Sequence, residues 1–149
     1  MLWQPKDEPM LSPHYELFDH TADLGIRAYA AALSALVPPS TEGLYAAIGK
    51  VAPGIGGPAW QRDLRGTDPA LLLRDYLADV LDLFYCERRR LSDIRVPEFT
   101  ARRLVVGGRA CAIDEAASDL EREVKAVTYH ELAIRPIAGG FEATFIVDI

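Results

Sequence analysis

The chain has 149 residues, half of them apolar, and its 22 acidic and 16 basic side chains give a formal net charge of −6. This composition suits one soluble globular domain with a single hydrophobic core. It excludes a strongly basic nucleic-acid binder and a solvated disordered chain. Met1 to Pro13 carries Lys6, Asp7 and Glu8 and has no apolar run of signal-peptide length, so a flexible tail over 1–13, without an export signal, is expected ahead of one domain over 14–149.

Tyr15, Leu17 and Phe18, followed by Leu24, Ile26 and Ala28, predict two extended stretches split by the polar group Asp19 to Asp23. Ala30 to Gly49 reads as helical with Ser34 as N-cap, but Pro38-Pro39 lie inside it. A break is expected there, with a second helical piece from Ser40 or Thr41 to Ile48. Gly54 to Gly66, with Gly54, Gly56, Gly57 and Pro58, reads as a loop.

Asp68-Pro69 starts the clearest element, an N-cap acid followed by proline at the first helical position. Leu73, Tyr76, Leu77, Val80, Leu81 and Phe84 then recur at spacings of three and four, one face of a helix that runs to Cys86. The apolar segment Leu71 to Phe84 is interrupted by Arg74, Asp75, Asp79 and Asp82, well short of the ~18 apolar residues of a bilayer span. Four runs follow with strand character: Glu98 to Val106, Arg109 to Asp114, Val124 to Pro136 and Phe141 to Ile149. Gly107-Gly108 and Gly139-Gly140 between them read as hairpin turns. The expected fold is α+β, with two main helices packed against largely antiparallel sheet.

Charge is unevenly distributed, with net −5 over residues 1–86, +4 over 87–109 and −5 over 110–149. Arg88-Arg89-Arg90 follow the long helix, where cations compensate the negative helix end. They read either as a solvated helix terminus or, with Arg95, Arg102, Arg103 and Arg109, as an RNA or partner contact. Cys86 and Cys111 are too few and too far apart for a zinc site or a disulfide framework, which favours a reducing cytoplasm.

Three segments could carry chemistry. In Asp19-His20-Thr21-Ala22-Asp23-Leu24-Gly25, an extended chain would project residues 19, 21 and 23 to one face, as a hard-cation patch or simply as a polar turn. At the other end, Asp148 precedes the α-carboxylate of Ile149, if Ile149 is the natural end. Asp23 would complete an all-oxygen site for Ca²⁺ or Mg²⁺ were the fold to bring the segments together; the alternative is a solvated terminal Asp. In Val124-Lys125-Ala126-Val127-Thr128-Tyr129-His130, neither face is cleanly apolar, which suits a strand near a site. Lys125 and His130 also read as an ordinary solvated lysine and a hydrogen-bonded strand histidine. Phosphate-cradle, hydrolase-elbow and zinc motifs do not occur.

Taken together, D-H-T-A-D-L-G-I-R-A-Y over 19–29, E-V-K-A-V-T-Y-H over 123–130 and the terminal V-D-I resemble the archease family in order and spacing, across Tyr15 to Ile149. The resemblance implies a compact α+β sandwich. It implies a small cytoplasmic accessory protein, not itself an enzyme, that promotes guanylylation and repeated turnover of the RtcB-type RNA ligase in tRNA splicing and RNA repair. RNA would be met only indirectly through the ligase. It further implies a divalent metal ion (Ca²⁺, Mg²⁺ or Mn²⁺) held by Asp23, Asp148 and Ile149, with Lys125 functionally important and His20, Thr128 and Tyr129 as its neighbours. Two competing expectations remain: a metal-dependent phosphoester hydrolase using Asp19, Asp23 and Asp148 with His20 as general base, and direct RNA binding through Arg88 to Arg109.

Overall fold

The computed structural model describes residues 9–149. Residues 1–8 of the expected tail lie outside the described residues, while Leu11 N–H donates to Gly139 O at 3.1 Å. The first two strands, β1 (His14–His20) and β2 (Asp23–Ala30), form an antiparallel hairpin whose turn is Thr21-Ala22. Ala22 takes the left-handed conformation that tight hairpin turns demand. A 3-10 turn (Ser34–Leu36) then leads into α1 (Val37–Ile48).

Pro38-Pro39 do not break this helix. They occupy its first turn, where the missing N–H groups have no intrahelical acceptor to lose, so the helix begins at Val37 and not at Ser40 or Thr41. Ser34 makes no side-chain cap; the expected N-cap is instead part of the 3-10 turn. After β3 (Gly49–Lys50) comes β4 (Ala59–Arg65), in the second half of the expected loop. The strand signal there was the alternation of half-buried Trp60, Arg62 and Leu64 with exposed Gln61, Asp63 and Arg65, which the preceding glycines obscured.

The long helix α2 (Pro69–Glu87) starts as expected, with the Asp68 carboxylate accepting from Ala70 N–H at 2.8 Å, and ends at Arg88 in the left-handed conformation. The strands β5 (Arg89–Phe99) and β6 (Arg103–Ala112) complete a three-stranded antiparallel sheet in the order β4-β6-β5. Gly107-Gly108 lie inside β6 and do not form its turn, which falls at residues 100–102. A Cβ on Gly108 would meet Ser92 O at 2.7 Å, so the glycine serves a close backbone approach beside a register shift in β5.

The remaining strands are β7 (Asp119–Leu120), β8 (Ala126–Val127), β9 (Ala133–Ile137) and β10 (Gly140–Asp148). β10 is the spine of the larger sheet, ordered β1-β2-β10, with β8 and β9 sharing its other edge. The expected single strand from Val124 to Pro136 is therefore two. Between the pairs Val127↔Val147 and Ala133↔Thr144, five residues of chain oppose two of β10, and the surplus of three leaves the sheet as a turn at Tyr129-His130-Glu131. Gly139-Gly140, by contrast, do mark the β9–β10 hairpin. The α+β class with two main helices and mostly antiparallel pairing is as expected.

The core lies between the two sheets and their helices, with Ile26, Leu36, Leu44, Leu73, Tyr76, Leu77, Phe84 and Phe145 all closed to solvent. Of the arginine triplet, only Arg88 behaves as a helix-end cation, pairing with Glu115 at 3.0 Å. Arg90 is buried, with its Nη2 on both Glu42 oxygens and its guanidinium over Tyr45, so the expectation of a solvated run fails at this residue.

The Tyr45 hydroxyl accepts from Leu91 N–H at 2.8 Å and fastens α1 to β5. Burial pushes its pKa up to about 12. The fold thus favours the neutral phenol. Its contribution is complete below the unfolded-state value near pH 10 and is lost as pH rises from there to about 12, on the order of 3 kcal/mol. Urea unfolding of wild type and Tyr45→Phe across pH 9 to 12 checks this: the variant is expected to lose less stability over the upper two pH units. Parallel declines would contradict it.

Candidate metal centre

Strand register, read across the larger sheet, assembles the site. His20 of β1 pairs directly with Asp23 of β2. β2 and β10 pair as Leu24↔Val147, and one further step of that antiparallel register sets Asp148 opposite Asp23; Asp148 in turn pairs with Ala126 of β8. Directly opposed residues project to the same face, so His20, Asp23 and Asp148 form one cross-strand row on the outer face of the sheet. The core face is taken by Leu24, Ile26 and Ala28, next in alternation.

The row lies at the end of β10 where the chain terminates, with Asp148 and Ile149 both exposed. Lys125 N–H donates to Asp148 O at 2.7 Å and anchors the terminal residues; the Lys125 side chain is exposed. Thr128 accounts for the adjoining turn. Its N–H and its Oγ1 both donate to Ile146 O, each at 2.9 Å, while its Oγ1 accepts from His130 N–H at 3.2 Å. Tyr129 is exposed, with the Arg74 guanidinium 4.3 Å from its ring centre, and Arg74 Nε donates to Val127 O at 2.9 Å. Helix α2 thus holds the turn through one arginine.

Two further side chains emerge in the site: His130, which the sequence reading left open between a site residue and a strand histidine, and Glu131, which it did not single out. The three-residue surplus turns His130 and Glu131 toward β1, where His20 Nε2 lies 3.4 Å from Glu131 Oε2 and the two histidine rings meet edge-on at 5.3 Å. His20 Nδ1 points the other way, 3.7 Å from Asp23 Oδ2; it is buried without a hydrogen-bond partner. The signal in the sequence was the polar run Thr128-Tyr129-His130-Glu131, where the continuous strand reading hid the turn.

Asp19 fails to join this row. It pairs with Leu24, one step from the His20↔Asp23 pair, and therefore projects to the opposite face of the sheet from Asp23. The expectation that residues 19 and 23 share a face assumed one extended strand, whereas the Thr21-Ala22 turn folds it into a hairpin. The three-carboxylate hydrolase centre is accordingly not assembled. Asp23 and Asp148 are the carboxylates that the register places on this face, and carboxylate oxygens are the donors a hard cation takes.

Known proteins resemble this chain over most of its length. The model of the Archease protein family (MTH1598/TM1083) matches residues 15–149, which includes every residue of the row. The chain belongs to the archease family. Among its relatives, the protein archease of Methanosarcina barkeri is 30% identical over 139 residues, covering 91% of this chain and 95% of that protein. Protein archease of Saccharolobus islandicus is 31% identical over 144 residues, covering 91% and 98%. The solution structure of Methanobacterium thermoautotrophicum protein 1598 superposes with a TM-score of 0.66 over 91% of this chain and 98% of its own, at 24% identity, and shares the fold. Archease membership supports an accessory role for the chain. Among the described residues no helix is long and apolar enough to cross a membrane.

Proposed function

We propose that this archease chain is a metal-binding accessory protein of an RtcB-type RNA ligase, promoting its guanylylation and repeated turnover in tRNA splicing and RNA repair. The observation that carries the reading is the β2–β10 register, whose last pair, Leu24↔Val147, sets Asp23 and Asp148 next in line on the opposite face of the sheet. Two carboxylates brought together repel unless a cation joins them, and the archease resemblance implies a third oxygen donor from the α-carboxylate of Ile149 if that residue is the natural end. A Ca²⁺, Mg²⁺ or Mn²⁺ ion bound there would keep positions open for oxygens of another molecule. The exposed edge of the row leaves room for a partner to approach.

In this reading the chain's residues bind and position. Asp23 and Asp148 hold the ion, and the rigid pairing of β2 with β10 fixes the spacing between them. Lys125 ties the chain end by its backbone and leaves its ammonium free to meet an anionic group of the partner. The arginines of 87–109 are largely engaged within the fold: Arg103 with Asp63 and Glu98, Arg90 with Glu42, Arg109 with Gly57 O. This favours contact with RNA through the ligase over direct binding.

Lys125→Ala separates ion binding from partner contact. The variant is expected to bind Ca²⁺ with unchanged affinity by calorimetry, yet to lose most of the stimulation of ligase guanylylation, measured as transfer of labelled GMP from GTP to the ligase. Undiminished stimulation would remove Lys125 from the proposed interface.

A further inference from the structure

Beyond the oxygen row lies a cluster of a different chemistry. His20, His130 and Glu131 each offer a donor atom, and these atoms all lie within 4.8 Å of one another. They come from two separate segments, the end of β1 and the turn between β8 and β9. The shortest pair, His20 Nε2 to Glu131 Oε2, is 3.4 Å apart. Two ligands of a tetrahedral ion with bonds of about 2.0–2.1 Å stand about 3.3 Å apart, so this edge of a coordination tetrahedron already exists. His130 and Glu131 are exposed on that turn, which leaves their side-chain angles open to the adjustment the third donor needs.

The other face of His20 completes the pattern. Its Nδ1 is buried with no hydrogen-bond partner and looks toward Asp23 Oδ2 at 3.7 Å. A metal-ligating histidine commonly gives its second ring nitrogen to a carboxylate, which fixes the tautomer so that the outward nitrogen presents its lone pair. His20 turns Nδ1 toward that carboxylate and Nε2 toward the cluster, and ion binding would draw Nδ1 from 3.7 Å into hydrogen-bond range of Asp23. Two imidazoles and one carboxylate favour Zn²⁺ and related first-row ions over Ca²⁺ or Mg²⁺, which take all-oxygen sets.

We propose that His20 Nε2, His130 and Glu131 form a second metal site, distinct from the oxygen row, that takes a nitrogen-preferring divalent ion of the Zn²⁺ class and leaves a fourth position open. Asp23 then serves two ions, as a direct ligand of the hard cation and as the partner that orients His20. The second site does not depend on the ligase reading.

The test uses the full chain and Zn²⁺ alone by calorimetry, with Co²⁺ as a spectroscopic probe, both in the presence of saturating Mg²⁺. Wild type is expected to bind one equivalent of Zn²⁺ and to give the visible absorption of Co²⁺ in a low-symmetry four-coordinate site. His130→Ala and Glu131→Gln, both on an exposed turn, are expected to weaken Zn²⁺ at least tenfold, while Asp148→Ala leaves it unchanged. Circular dichroism confirms that each variant is folded. Equal Zn²⁺ affinity in wild type and both turn variants would overturn the proposal, and so would loss of Zn²⁺ in Asp148→Ala, which would place the ion in the oxygen row. Neither result bears on ligase stimulation.

Discussion

Asp148→Ala is expected to abolish Ca²⁺ and Mg²⁺ binding, a loss of at least a hundredfold in affinity by calorimetric titration, without unfolding the domain. The side chain is exposed at the end of β10, so its removal leaves no cavity and uncovers no buried group. What it removes is one of the two carboxylates that the sheet register sets opposite each other. The proposed site, once it loses this carboxylate, keeps neither the charge nor the ligand count a hard cation needs. Appending residues after Ile149 converts its α-carboxylate to a neutral amide and is expected to act in the same direction. Unchanged Ca²⁺ affinity in both variants would place the ion elsewhere.

The largest effect on stability is expected from Phe145→Ala. Phe145 is fully buried in β10, pairs across with Ile26 of β2 and stands in the core that both helices cover. Truncating such a side chain loses its transfer free energy and leaves a void, about 3–5 kcal/mol together. For a domain whose total stability lies within roughly 5–15 kcal/mol, that is about a fifth of the margin or more. The midpoint of urea unfolding is expected to fall sharply with the slope unchanged; a midpoint within experimental error of wild type would contradict the packing described. Because β10 also carries Asp148, the variant should weaken metal binding only as far as it populates unfolded chain.

The sequence made the long helix legible because three independent signals agree at Asp68-Pro69 and along its apolar stripe. The prolines of α1 misled because proline forbids a helix interior but favours a helix start, and only the structure shows that Val37 is the first residue. Gly107-Gly108 misled for a related reason. Glycine marks turns and close backbone contacts alike, and Leu91 and Ser92 decide between them through contacts far away in sequence.

The proposed metal row was legible only in part. Asp23, Asp148 and Ile149 could be named from motif resemblance, but their meeting depends on β2 pairing with β10 across more than a hundred residues, which no local pattern encodes. Asp19 and Asp23 illustrate the opposite error, since a two-residue turn between them reverses the face that simple alternation assigns. The turn that carries His130 and Glu131 stayed hidden because a strand with a three-residue surplus resembles a continuous one until its partner strand is known.

The most direct test of the account is multiple-turnover RNA ligation by an RtcB-type ligase with GTP and Mn²⁺, with this protein added at substoichiometric amounts, as wild type or as Asp148→Ala. The account predicts that wild type restores repeated turnover and that folded Asp148→Ala does not. Absence of stimulation by folded wild type, or full stimulation by the variant, would contradict it.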